Sequence, residues 1–184
     1  MASPPAPYII RDATPADVAP MLAIYAPFVA GTTISFEYEV PTLADFAGRV
    51  QKVQRSLPWL VAESNGQVIG YAYASAHRER AAYQWSADSS VYVQAAHHGA
   101  GVARQLYAQL FARLTQLGYV NVYAGITQPN PRSEGFHRAC GFEPVGTYRQ
   151  VGYKFGQWHD VQWLAKQLRP APAEPVPPRA YRPA

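Results

Sequence analysis

The clearest hydrophobic rhythm in the chain runs from Val102 to Leu117. Val102, Leu106, Leu110 and Leu114 recur at every fourth position, Phe111 and Leu117 widen the stripe, and polar residues fill the other side. That spacing predicts an amphipathic helix with one buried face. Gly118 closes it, because glycine takes the left-handed backbone that ends helices without steric cost. Upstream, Asp88 to Val93 (DSSVYV) reads as a strand and leads through His97-His98-Gly99-Ala100-Gly101 straight into the helix.

The flanking elements follow from caps and turns. Tyr8 to Asp12 reads as a short strand, and Thr14-Pro15-Ala16-Asp17 opens a helix to about Phe28 with a threonine cap, a proline in the first turn and an acid facing back. Thr42-Leu43-Ala44-Asp45 repeats the signal for a helix through Gln54. The polar and aromatic loop between them carries Thr32, Thr33, Ser35, Phe36 and Tyr38, and is placed to cover a pocket. Trp59 to Glu63 and Gln67 to Ser75 flank Asn65-Gly66, the dipeptide of a β-hairpin turn. Asn121 to Ile126 reads as a strand broken by Pro129-Asn130-Pro131. A short helix over Ser133 to Ala139, closed by Gly141, and strands over about Phe142 to Gln150 and Trp158 to Leu168 complete a mixed α/β succession.

Composition narrows the setting. A chain of 184 residues with 48% hydrophobic and 15% charged residues suits one globular domain. We assign it to residues 8–168, between tails at 1–7 and 169–184. The second tail is rich in proline, and disorder is its expected state. A lone cysteine, Cys140, excludes an intrachain disulfide framework. Met1-Ala2-Ser3-Pro4-Pro5 does not begin a secretory signal, and no run is long and apolar enough for a membrane span. A cytoplasmic protein is expected. The net charge of +4 includes Arg169, Arg179 and Arg182 in the tail, so it outlines no nucleic-acid surface. The histidines His77, His97, His98 and His159 have no metal-ligand spacing.

Glycines at a helix N-terminus gather free backbone amides at the positive end of the helix dipole, an arrangement that binds phosphate. A dinucleotide fold would add an acid about 20 residues on, and no acid occurs between Leu106 and Gly125. A Walker loop would continue with Lys-Ser/Thr, where this chain has Arg104.

The flanks carry more information. Val91-Tyr92-Val93, the glycine loop, the amphipathic helix, the next strand, Pro129-Asn130 and Phe136-His137-Arg138-Ala139-Cys140-Gly141-Phe142 together resemble the GCN5-related N-acetyltransferases (GNAT). Gly101 and Ala103 match the family's [QR]-x-x-G-x-[GA] signature, with His98 at its first position. Four further runs bring the resemblance closer to phosphinothricin and methionine sulfoximine/sulfone acetyltransferases. They are Pro58 to Glu63, Ala82 to Trp85, Ser90 to Val93 and Gly152 to Val161.

The resemblance implies a mixed, twisted central sheet with splayed central parallel strands flanked by helices. It implies acetyl-CoA as co-substrate, no metal, a small amine acceptor and a homodimer, for which Tyr148 and Trp163 offer exposed aromatics. Asp88 stands where the family has a carboxylate base, and His137 at a position of acid/base work. The sequence does not decide which takes the proton. Backbone groups of Val91, Tyr92 and Val93 would meet the pantetheine arm, and the loop from His98 through Gly99, Ala100, Gly101, Val102, Ala103 and Arg104 the pyrophosphate. Asn130, and more weakly Ser133 as a helix cap, would flank the cofactor arm. Arg80, Tyr83 and Lys154 offer cations and a hydroxyl to an acidic acceptor, with Phe36 and Tyr73 as its apolar wall. Cys140 is expected to be a buried packing residue. A non-catalytic acyl-CoA sensor and a protein or peptide N-acetyltransferase remain alternative readings.

Overall fold

Thr14 opens the first helical segment as its sequence demands. The Asp17 carboxylate accepts hydrogen bonds from the Thr14 amide and hydroxyl, at 2.7 and 2.8 Å, and a single 3-10 turn over Pro15–Asp17 leads into helix α1, Val18–Gly31. This computed structural model describes residues 7–183; positions 1–6 of the expected N-terminal tail lie outside the described residues. Helix α2, Leu43–Gln54, starts at Thr42, whose hydroxyl accepts from the Asp45 amide at 3.1 Å. The remaining helices are α3, Val102–Leu117, and α4, Pro131–Ala139.

Among the described residues seven strands form one sheet: β1 Ile9–Asp12, β2 Trp59–Ser64, β3 Gln67–Ala76, β4 Ser86–Val93, β5 Asn121–Thr127, β6 Glu143–Lys154 and β7 Gln157–Gln167. Their spatial order is β1-β2-β3-β4-β5-β7-β6. Asn65 and Gly66, at φ of 50° and 73°, make the tight turn between β2 and β3. The sheet is mixed, as expected, and every neighbouring pair is antiparallel except β4 with β5.

That parallel pair decides the architecture of the site. Ser86, Ala87 and Asp88 pair with Asn121, Val122 and Tyr123, and there the ladder ends. Beyond it β4 stays with β3 and β5 with β7, so the strands diverge. Asp88 and Tyr123 form the vertex of the fork.

Side chains alternate across a strand, and the fork therefore has two faces. On one, the stripe of α3 (Leu106, Tyr107, Leu110, Leu114) packs on Ala87, Val93, Val122 and Ala124. On the other, α1 and α2 enclose Trp59, Val61 and Tyr71, and Tyr92 of β4 meets Tyr25 and Phe28 of α1 at ring separations of 5.1 and 5.2 Å. Asp88 and Ser90 share the face of Tyr92, whereas Ser89 shares that of α3.

The proline-rich tail is docked rather than loose, contrary to expectation. The Arg179 amide and guanidinium donate to the carbonyls of Leu117 and Gln116 at 2.9 and 2.7 Å, and Arg169 donates to the Gly118 carbonyl. Two guanidinium groups thus meet the negative end of the α3 dipole. Tyr181 is buried, its amide bonded to the Ser56 carbonyl and its hydroxyl donating to Asp12. Trp85 Nε1 donates to the Val176 carbonyl at 2.9 Å as well; among the described residues the segment forms no helix or strand, so its anchorage rests on separate bonds and one buried ring.

Candidate active site

A cavity of about 440 Å³ runs through the open part of the fork, from the α3 face to Phe28 and Ile34 on the α1 side. One wall is β4 from Ser89 to Val93, another the N-terminus of α3, and a third α4 with Asn130. Gly99 and Gly101 both hold φ at +81°, a conformation that side chains resist. This bends the loop so that the first-turn amides of α3, which have no intrahelical acceptor, border the cavity. Arg104 and Arg132 add positive charge to its wall.

Of the residues expected on the cofactor side, every one lines this cavity except Ala100. Ala100 instead packs against the core. The His98 ring is committed to the protein, its Nε2 donating to the Val93 carbonyl at 2.9 Å. It shapes the loop. The helix cap expected of Ser133 is supplied by Asn130, whose side-chain oxygen accepts from the Ser133 amide at 3.1 Å.

Inside the cavity a polar chain runs from β4 to α4. Ser89 Oγ lies 3.3 Å from the Tyr107 hydroxyl, which is 3.1 Å from His137 Nε2. His137 Nδ1 is 2.8 Å from the Ser133 carbonyl, which only accepts, so Nδ1 carries the hydrogen and Nε2 receives that of Tyr107. Burial holds the His137 imidazole below its ordinary value and pushes the fully buried Tyr107 hydroxyl above its own. The pair is therefore neutral near pH 7. Sequence reasoning passed over Tyr107, which sits beside Leu106 in the apolar stripe of α3 and looks like core. A hydroxyl in a buried stripe needs a partner, and that is the signal that could have marked it.

The opposite face holds the remaining candidates. Asp88 Oδ1 lies 2.6 Å from His77 Nδ1. Burial pushes the Asp88 carboxyl above the usual aspartate value, against the pull of His77. The His77 ring stacks on Tyr123 at 4.3 Å. A groove of about 560 Å³ lies alongside, lined by His77, Arg78, Arg80 and Tyr83. Arg80 and Tyr83 thus lie together in this groove.

Tyr73 stacks on Trp59 at 4.0 Å on this face. Phe36 reaches it from the loop after α1 and packs so tightly on Gly152 that a Cβ there would lie 2.2 Å from the ring. The same loop is tied down by Glu37, which accepts from Arg49 at 2.6 Å and from Tyr25 at 2.9 Å, and by Tyr38, whose hydroxyl donates to the Tyr153 carbonyl at 2.6 Å.

Lys154 does not join this group. Its ammonium is buried and donates to the carbonyls of Val29, Thr32 and Ser35 at 2.7, 2.9 and 2.8 Å. All three hydrogens are used, leaving none for an acceptor anion. Lys154 closes the C-terminal end of α1. Trp163, expected at the surface, is half-buried with its ring edge against Gly125. Cys140 is half-buried rather than buried, and burial raises its thiol pKa, the wrong direction for a nucleophile.

Comparison with known proteins agrees with this geometry. A family description, "Acetyltransferase (GNAT) domain", matches residues 10–163. The chain is 38% identical over 173 residues to the phosphinothricin N-acetyltransferase of Streptomyces viridochromogenes, covering 94% of each. It is 36% identical over 171 residues to the L-methionine sulfoximine/L-methionine sulfone acetyltransferase of Pseudomonas aeruginosa, covering 90% of this chain and 98% of that protein. The crystal structure of a GNAT superfamily phosphinothricin acetyltransferase from Sinorhizobium meliloti, in complex with AcCoA, superposes with a TM-score of 0.87 at 34% identity, covering 92% and 93% of the two chains.

Proposed function

The chain belongs to the GNAT acetyltransferases, and on that premise we propose that it transfers the acetyl group of acetyl-CoA to the amino group of a small amino-acid-like acceptor, directly and with both substrates bound. Phosphinothricin and methionine sulfoximine or sulfone are the acceptors that its relatives' names suggest. The observation that carries the reading is the fork. An amide-rich, phosphate-type loop and a freed strand edge lie on one face, and a groove with Arg80, Tyr83 and Arg78 on the other. The faces meet at Asp88 and Tyr123.

In this reading the amides of Gly99 and Gly101 through Arg104 hold the pyrophosphate, with Asn130 and Ser133 beside the arm. The unpaired edge of Val91, Tyr92 and Val93 bonds the pantetheine, and one of its amides can hold the oxygen that gains negative charge as the amine attacks. Arg80 and Tyr83 hold the acid end of the acceptor, and Phe36 and Tyr73 its carbon chain. An acceptor ammonium must lose a proton before it can attack a thioester, and Asp88 lies on that face. His137 lies on the other, so its work is at sulfur. There it holds Tyr107, whose hydroxyl hydrogen turns from Nε2 to the departing thiolate. The working unit is the single domain over residues 8–168, and the docked tail braces the end of α3 remote from the loop.

A second copy is the proposed partner. The β6–β7 hairpin exposes Tyr148, Val151, Phe155 and Trp158, each at least half accessible, and large apolar side chains exposed on one hairpin favour association. Light scattering is expected to give a dimer mass that Trp158→Glu shifts toward monomer; a monomer at all working concentrations contradicts this.

The function itself is tested by thiol release from acetyl-CoA with a panel of amines: phosphinothricin, methionine sulfoximine, methionine sulfone, ordinary amino acids and a lysine peptide. Turnover with the first three, giving the N-acetyl product by mass, is the expected result. Turnover with the peptide alone would replace the acceptor class, and no turnover with any amine would favour a sensor.

A further inference from the structure

The vertex of the fork carries a histidine that the family resemblance did not single out. His77 follows β3, and the antiparallel register that pairs Ser75 with Asp88 brings it beside the Asp88 carboxylate. Its ring also stacks on Tyr123, so one side chain touches both strands at the point where they part. An ionised carboxylate only accepts hydrogen bonds, so His77 Nδ1 carries the hydrogen and Nε2 keeps a lone pair. Among the described residues Nε2 has no protein partner. The side chain is 13% exposed, and His77 lines the groove with Arg80 and Tyr83.

Resting on the proposed acetyltransferase function, we infer that His77, not Asp88, receives the proton of the acceptor's ammonium, and that Asp88 is the residue that orients it. Three features support this. Aspartate places its carboxyl about one methylene closer to its own backbone than glutamate would, and here that carboxyl is engaged by an imidazole. The ring's free nitrogen lies on the side away from Asp88, and His77 lines the groove proposed to hold the acceptor's acid end. Finally, Tyr123 is two residues from Gly125, which lines the co-substrate cavity. That is about 7 Å along a strand, a span that an amine and one water fill.

The proton balance closes. The ammonium of the acceptor gives one proton to Nε2, and the imidazolium forms an ion pair with Asp88. The neutral amine adds to the thioester carbon, forming the C–N bond. The C–S bond then breaks, and the second proton lost by the nitrogen ends on sulfur as coenzyme A thiol. His77 returns its proton to solvent through the open groove, so the net products are the amide, the thiol and one proton.

The test combines substitution, pH and chemical rescue in the full-length enzyme with acetyl-CoA and the best amine of the panel. Charged and titratable groups around His77 are Asp88 on β4, Tyr123 on β5, Tyr83 in the turn, and Arg78, Glu79 and Arg80 in the loop. His77→Gln is expected to lower kcat by about 100-fold or more while the KM for acetyl-CoA stays within about threefold. His77→Ala is expected to regain at least about tenfold with added imidazole, which restores a base but not a structural clamp. Asp88→Asn removes the anion that orients His77 and pairs with the imidazolium formed in the step, so kcat is expected to fall while an acid limb persists in the kcat/KM profile. Should His77→Gln keep turnover within about threefold of an active wild type, or Asp88→Asn abolish the acid limb, Asp88 is the base and the inference falls alone. If the wild type releases no thiol with any amine, the functional reading falls and takes this inference with it.

Discussion

Replacing Lys154 with methionine is expected to cost the fold about 3 kcal/mol, by leaving buried carbonyls without partners. Lys154 is 1% exposed, and its ammonium serves the carbonyls of Val29, Thr32 and Ser35. Two of these flank the end of α1, where a cation also meets the negative end of the helix dipole. Methionine fills the volume but offers no donor. The midpoint of urea unfolding, read at constant slope, measures the loss; a change below about 1 kcal/mol would mean that water replaces the ammonium without penalty. The loop that carries Phe36 begins at these carbonyls, so the KM for the amine is expected to rise in the variant while that for acetyl-CoA holds.

Tyr107→Phe and His137→Ala are each expected to lower kcat by about 100-fold, or about 2.7 kcal/mol of barrier. The first removes the hydroxyl that bridges Ser89 and His137; the second removes the acceptor that orients it. Neither residue supplies the loop amides, so the KM for acetyl-CoA is expected to stay within about threefold. If both variants turn over within about threefold of the wild type, the polar chain is structural and the assignment fails. A pH effect accompanies it. Burial holds His137 below its ordinary value of 6.5, so below that pH the unfolded chain takes up a proton that the folded chain resists. His137 therefore subtracts stability as pH falls through 6.5. His137→Ala should flatten the dependence in that window.

What the sequence reveals depends on the range of the forces involved. The helix α3, its glycine loop and the β2–β3 hairpin are legible because periodicity, left-handed glycines and an Asn-Gly turn act over a few residues. The parallel arm of β4 and β5 and its early divergence came from resemblance, since nothing local in DSSVYV or NVYAGI tells where a ladder stops. Lys154 was misplaced because a lysine between Tyr153 and Phe155 reads as a cation free to meet an acidic acceptor; the carbonyls it serves belong to α1 and the following loop. The tail was misread for a similar reason. Proline excludes helix, but order at Arg179 and Tyr181 depends on carbonyls at the end of α3 and after α2. His77 required the β3–β4 register, which only the folded sheet displays.

The measurement that bears most directly on the two-faced fork is the initial velocity of thiol release with amine varied at several fixed acetyl-CoA concentrations. In the proposed reaction acetyl-CoA and the amine must be bound together for direct transfer, so intersecting double-reciprocal lines are the expected result. Parallel lines, with acetyl-CoA turning over its acetyl group to the enzyme before the amine arrives, would contradict the account.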